Sequence, residues 1–236
     1  MPLISNTLGR RVRGLEIETL LESSSGLYQV TRTDVPRVGV VLADAFRRDP
    51  FWMALSGGET SSEMDQVVSA IYRASIEYCI SYGKVLGTSE RLEGVAAWVP
   101  GDYSNMTVWR QLRSGSFFTG LKAIRLGRAL GLDMMTAGRE LRPVEAARKK
   151  NMHGRPFIYL QVLGVAMHLQ GQGHGRRLIE ALLDESERSR LPVYTETSLG
   201  DAAKVYERFG FDIIHEVSLP AYDLPMWELV REPSAR

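Results

Sequence analysis

The stretch from Phe157 to Arg190 constrains this chain more than any other. Phe157 to Val165 is apolar and β-prone enough for a buried strand. A loop follows in which Gly171, Gly173 and Gly175 occupy every second position. From Arg176 to Arg190 the spacing predicts a helix. Leu178, Ile179, Leu182 and Leu183 form its apolar face, and Arg177, Glu180, Asp184, Glu187 and Arg188 its polar one. The first N–H groups of such a helix lack internal partners, and the helix dipole adds partial positive charge there. Glycines let that backbone approach a phosphate closely, because no Cβ intervenes. The unit therefore reads as a phosphate or pyrophosphate site, with a mere tight turn as the plain alternative. A P-loop requires Gly-Lys-Ser/Thr, whereas Arg176 and Arg177 follow Gly175 here. The Rossmann pattern G-x-G-x-x-G is not matched by G-x-G-x-G. Glu196 nevertheless lies about twenty residues downstream, where a ribose-binding acid would sit, so a dinucleotide reading stays open.

The chain has 236 residues, enough for one sizeable core, and one domain is expected rather than two. A net charge of +1 gives no global attraction to nucleic acid or to an anionic membrane. Cys79 is the only cysteine, which excludes an intramolecular disulfide or a cysteine-based metal cluster. It fits a reducing, cytoplasmic setting and reads as an inert core thiol. The histidines His153, His168, His174 and His215 lack metal-ligand spacing, so no metal is expected. No apolar run reaches the roughly 18 residues of a membrane span, and no signal-peptide pattern opens the chain.

Residues 1–25 read as a loosely held extension, with a short helix around Leu15 to Glu22. Residues 26–236 read as the domain. Leu27 to Arg32 alternates as a first strand. Thr33-Asp34 and Pro36 then open a helix whose apolar face is Val38, Val41, Leu42, Ala45 and Phe46. Asp49-Pro-Phe-Trp52 reads as a turn, and Phe51 and Trp52 serve either as packing or as a pocket wall. Met64 to Tyr82 is a second helix, ended by Gly83, and strands follow at Lys84–Ser89 and Leu92–Val99. Residues 102–155 read as an insertion of two or three helices broken at Gly115, Gly131 and Pro143. Between Arg110 and Arg155 eleven Lys/Arg face three Asp/Glu. That excess reads as a solvated face, with a phosphate or nucleic-acid contact as the alternative; too few aromatics interleave for base stacking. Leu191 to Glu196 is a further strand and Ala202 to Phe209 a short helix. Phe211 to Val217 and Met226 to Arg231 are a late strand pair. The order predicts a mixed sheet in one α/β (α+β) domain, and the late pair argues against a Rossmann domain.

Gln170-Gly-Gln-Gly-His-Gly175 resembles the Q/R-x-x-G-x-G/A signature of the Gcn5-related N-acetyltransferases (GNAT superfamily). Tyr206-Glu-Arg-Phe-Gly-Phe211 resembles the Y-E-x-x-G-F segment near the end of that domain, at the expected distance. The resemblance covers residues 157–231 and extends more weakly to Thr33–Pro36 and Gly94–Pro100. The layout looks like the puromycin N-acetyltransferase-like branch. It implies a single domain with splayed central strands, a helical insertion at 102–155 and an acetyl-CoA-binding core at 157–211.

The resemblance further implies roles. Leu163, Gly164 and Val165 would pair with pantetheine where the central strand splays from Leu191–Glu196, and their strand's backbone would polarise the thioester carbonyl. The amides of Gln170, Gly171, Gln172, Gly173, His174, Gly175 and Arg176 would hold the pyrophosphate. Tyr206 would protonate the leaving thiolate, since a phenol of pKa about 10 keeps its proton at neutral pH; a packed aromatic is the alternative. Glu196 would be the general base, or only a carboxylate ordering the following loop, with Tyr159, His153 and His168 as other relay groups. Histone-acetylating members carry a glutamate at the place of Tyr159, which speaks against a histone substrate. An asparagine common before the last helix is replaced by Leu199-Gly-Asp-Ala-Ala203. The expectation is acetyl-CoA-dependent acetylation of a primary amine on a small molecule. The amine would sit between the first two helices, the Trp98 strand end and the insertion. No nucleic acid or membrane partner is expected, and a homodimer is compatible. A peptide N-acetyltransferase and a non-catalytic acyl-CoA-binding module are the rivals.

Overall fold

The central strands of this chain are near-continuous apolar runs, Gly94–Pro100 and Ile158–Val165, so the sheet they form is buried on both faces. The computed structural model describes residues 26–234. The expected 1–25 extension and its short helix lie outside the described residues. The strands are β1 (Tyr28–Gln29), β2 (Lys84–Gly87), β3 (Gly94–Pro100), β4 (Ile158–Val165), β5 (Val193–Thr197), β6 (Asp212–Leu219) and β7 (Leu224–Arg231). They form a seven-stranded sheet in the order β1-β2-β3-β4-β5-β7-β6. Every pairing is antiparallel except β4 with β5, which is parallel. This is the mixed sheet expected from the order of elements.

One face of the sheet is covered by α1 (Val35–Ala45) and α3 (Ser62–Tyr82). Val38, Leu42, Ile76, Tyr78 and Cys79 pack there on Val95, Ala97, Val99, Tyr159 and Val162. The other face is covered by α8 (His174–Ser189) and α9 (Gly200–Arg208). Leu178, Ile179, Leu182 and Tyr206 pack there on Ala96, Trp98, Ile158 and Leu160. Trp98 thus lies in the core beneath α8, not on the wall of a substrate pocket as the sequence suggested.

Two local readings change. Asp49-Pro-Phe-Trp52 does not form a simple turn; it opens a helix, α2 (Pro50–Leu55). Asp49 is its N-cap, accepting from the Phe51 amide at 3.0 Å, and Pro50 takes the first helical position. The insertion has four helices rather than two or three: α4 (Val108–Ser114), α5 (Ser116–Ala129), α6 (Met134–Glu140) and α7 (Arg142–Asn151). Gly115 and Gly131 mark breaks as expected, both at positive φ. Pro143 opens α7 from inside its first turn.

Candidate active site

The loop after β4 is fixed before any ligand arrives. The Ala166 N–H donates to the Glu93 carbonyl at 2.9 Å, and the Met167 N–H donates to the Asp44 carboxylate at 2.7 Å. The Gln170 amide nitrogen donates back to the Val165 carbonyl at 3.1 Å. Gly171 and Gly173 sit at φ +76° and +87°, the left-handed region that side chains disfavour, and a Cβ added at either would meet nothing within 4 Å. Gly173 caps α8, which begins at His174, two residues earlier than expected. The first helical bond runs from the Arg177 N–H to the Gly173 carbonyl, so the amides of His174, Gly175 and Arg176 occupy the unpaired first turn. The Gln170 side chain is committed to the loop itself. The Arg176 guanidinium pairs with Glu180 at 2.7 Å on the exposed face.

Next to this loop the sheet opens. The parallel β4–β5 pairing lasts for two residue pairs, Ile158 with Val193 and Tyr159 with Tyr194. Beyond them the Thr195 hydroxyl donates to the Leu160 carbonyl at 3.2 Å. Leu163, Gly164 and Val165 pair with β3 on their other side, opposite Ala96, Val95 and Gly94. Their edge toward β5 is therefore outside the ladder. A bulge at Gln161 shifts the phase of β4, because Trp98 opposes Leu160 while Ala97 opposes Val162.

The gap leads into a cavity of about 420 Å³. Phe46, Phe51, Trp52 and Tyr72 line one side of it; Leu141, Val144 and Arg148 of the insertion line another. Tyr159, Gln161, Leu163, Glu196 and Tyr206 complete the part nearest the gap. The structure thus brings the two expected catalytic side chains, Tyr206 and Glu196, to one cavity. Phe51 and Trp52 act both as packing and as wall, stacking edge-on at 5.2 Å. His168 is not in this cavity; it lines a separate groove with Arg47, Arg73 and Lys122.

Tyr206 is 9% exposed and packs on Phe211 at 5.2 Å between ring centres. Burial pushes its phenol up to about 12, against a hydrogen bond with Thr195 that lowers it. It therefore holds its proton across the neutral range. Glu196 is engaged on both oxygens. Arg148 Nη1 lies 2.5 Å from Oε1, with the two side chains 6% and 8% exposed, and the Tyr159 hydroxyl donates to Oε2 at 2.7 Å. Burial raises the Glu196 pKa above the ordinary value, against the opposing pull of Arg148 and Tyr159. The guanidinium also lies over the Tyr159 ring at 4.4 Å. Burial disfavours its charge, but Tyr159 and Glu196 more than offset that and raise its pKa.

A second buried carboxylate adjoins the first. Glu228 on β7 is directly opposite Glu196 in the β5–β7 ladder and is 0% exposed. Asn151 donates to it at 2.5 Å. Arg148 and Asn151, one turn apart on α7, thus reach the two adjacent buried carboxyl groups. Reading the insertion's basic residues as a solvated face misses Arg148. Nothing in the sequence marks it: only the structure shows Val144 and Arg148, at i and i+4, buried on one stripe of an otherwise polar helix. Among the described residues no cluster of three or more His, Cys, Asp or Glu could hold a metal. Nor, among them, is any helix long and apolar enough to cross a membrane.

Residues 138–213, which contain the glycine loop, the strand gap and Tyr206, match the family model of the acetyltransferase (GNAT) domain. An uncharacterized N-acetyltransferase of Schizosaccharomyces pombe is 26% identical over 208 residues, covering 87% of this chain and 82% of the relative. Among solved structures, a Corynebacterium glutamicum protein described as histone acetyltransferase HPA2 and related acetyltransferase superposes with a TM-score of 0.59 at 18% identity. That match covers 89% of this chain and 97% of the other. The C-terminal condensation domain of Ebony, solved with beta-alanyl-dopamine, superposes with a TM-score of 0.62 at 9% identity, covering 87% and 97%. The chain carries a GNAT-superfamily acetyltransferase fold. The general activity that accompanies this domain is acetyl transfer from acetyl-CoA.

Proposed function

We propose that this protein is an N-acetyltransferase that moves the acetyl group of acetyl-CoA directly to a primary amine of a small molecule. The observation that carries the reading is the β4–β5 gap: it opens the end of β4, just before the glycine loop, beside a 420 Å³ cavity lined by Leu163 and Tyr206. Relatives of the same fold are named for a histone acetyltransferase and for agmatine, so the fold does not choose the acceptor. The reading of a small amine is supported by the cavity, whose lining is mainly apolar and aromatic and whose volume is of small-molecule size. Within the superfamily, the reading sets the overall layout beside the puromycin N-acetyltransferase-like branch.

In this reading the amides of residues 170–176 hold the pyrophosphate, and the open edge of Leu163, Gly164 and Val165 pairs with pantetheine. The acetyl carbonyl lies against the β4 backbone, whose dipoles stabilise the developing oxyanion. Tyr206, protonated by virtue of its burial, gives its proton to the departing thiolate. The amine must lose a proton first, and two carboxylates, Glu196 and Asp49, line the cavity as candidate acceptors. A Tyr206→Phe variant tests the assignment. It should bind acetyl-CoA as the wild type does and release free thiol about 10²-fold or more slowly. An unchanged rate would remove Tyr206 from the mechanism. Acyl-CoA binding by the wild type with no turnover across an amine panel would favour the non-catalytic module.

A further inference from the structure

The cavity holds an acid that the ion-pair network leaves alone. Asp49 stands at the turn between α1 and α2 and lines the same cavity as Glu196. Its Oδ1 caps α2 through the Phe51 amide at 3.0 Å. Its Oδ2 has a long contact from the Ser198 hydroxyl at 3.5 Å. Among the described residues no cation pairs with it. Both oxygens of Glu196, by contrast, are committed to Arg148 and Tyr159. A carboxylate held in that way is a poor receiver for a further proton or a further ammonium, since each would have to displace an existing partner.

The groups around Asp49 fit an ammonium on an apolar body. Phe46 stacks on Tyr72 at 4.8 Å, Trp52 meets Tyr72 edge-on at 6.1 Å, and the Trp52 indole N–H donates to the Tyr72 hydroxyl at 3.2 Å. This fixes a three-ring wall beside the acid. Such faces attract an ammonium through the ring quadrupole and bury an aromatic ring equally well.

Resting on the acetyltransferase reading above, we propose that Asp49, rather than Glu196, binds the acceptor ammonium and takes its proton, and that the acceptor is a monoamine on an aromatic or bulky apolar body. The Asp49 carboxylate removes one proton from R–NH3+. The freed lone pair forms the C–N bond at the thioester carbonyl carbon as the C–S bond breaks. The thiolate takes the Tyr206 proton, the surplus proton on the new amide nitrogen restores Tyr206, and Asp49 releases its own to solvent. Glu196 is then a positioning residue that holds Arg148 and Tyr159 in the wall.

Burial raises the Asp49 pKa above the ordinary carboxylate value, against its hydrogen bonds from the Phe51 and Trp52 amides and Ser198. The titratable group facing it from α3 is Tyr72, whose own pKa is raised by burial and by the Asp49 charge. From α7 the cavity receives Glu145 and Arg148, from β5 Glu196, and from α9 Tyr206. Arg47 and Arg48 precede Asp49 in the chain, and Arg47 is bound to Asp65 and Asp44.

Asp49→Asn removes the charge and keeps a good helix cap, so the variant should fold. Acetyl-CoA affinity by calorimetry should stay at the wild-type value. With 2-phenylethylamine as probe, kcat/KM should fall 10²-fold or more, and the acid limb of its pH profile should vanish. Asp49→Glu should restore part of the rate and the limb. A kcat/KM within threefold of wild type, with the acid limb intact, would overturn the assignment of the base. Preference for spermidine over 2-phenylethylamine would overturn the acceptor class, because a polycation needs anionic partners along its length rather than an aromatic wall. A wild type that binds no acetyl-CoA would overturn this proposal together with the reading beneath it.

Discussion

At the scale of single residues, the site is held by acids with different duties. Glu93 illustrates the structural kind. The Ser89 and Thr88 hydroxyls donate to its carboxylate at 2.7 and 2.8 Å, and these bonds, Ser89 foremost, lower its pKa from 4.5 to about 2. A folded-state pKa below the unfolded one stabilises the protein above pH 4.5, and this contribution is lost as the pH falls toward 2. Glu93→Gln should therefore be less stable than wild type in urea melts above pH 4.5, with the two converging as the pH approaches 2. Equal stability across that range would show that the turn does not depend on the charge. Arg148, Glu196 and Asp49 show where single-residue reading stops. Glu196 could be named from its place at the end of a strand beside the glycine loop. Arg148 could not be told from its solvated neighbours Lys149 and Lys150, because charge alone does not reveal burial. Asp49 was visible as a turn residue, but its bearing on the cavity depends on how α2 packs against β6 and β7 through Phe51 and Leu55.

Elements were more legible than residues. The strand, loop and helix of 157–190 were visible because β period, positive-φ glycines and helical period occur there in succession. The shift of the α8 start from Arg176 to His174 follows from Gly173 serving as its cap. The four insertion helices were hard to separate because each is short and their apolar stripes are narrow. Gly164 shows how an element pairing constrains the site. A Cβ there would meet Leu42 Cδ2 at 2.8 Å, Phe46 Cε2 at 3.0 Å and Ala45 Cβ at 3.1 Å. The glycine thus lets α1 lie close against β4, and it carries Phe46 toward the cavity wall. Gly164→Ala should push α1 outward and destabilise the fold by about 1–3 kcal/mol in chemical denaturation. It should also raise the KM for the amine more than the affinity for acetyl-CoA falls. No loss of stability would mean that α1 has room to relax.

At the scale of the whole molecule, the proposed function rests on one interruption in the sheet. Two strands run parallel for two residue pairs and then part, and the separation leaves the end of β4 outside the ladder beside a cavity lined by Leu163, Glu196 and Tyr206. The sequence pattern implied this arrangement through its resemblance to a known signature; the part played by the insertion, which closes the cavity with Arg148, depends on contacts far apart in the chain. The central claim is that the loop at Gly173 receives the pyrophosphate of acetyl-CoA. Calorimetric titration of acetyl-CoA into the wild type, Gly173→Asn and Gly173→Asp tests it most directly. Asparagine and aspartate both tolerate the left-handed backbone and have the same shape, so only charge separates them. The account predicts binding by the wild type, a modest loss in the asparagine variant, and at least a further tenfold loss in the aspartate variant. Equal affinities for the two variants, or no binding by the folded wild type, would contradict it.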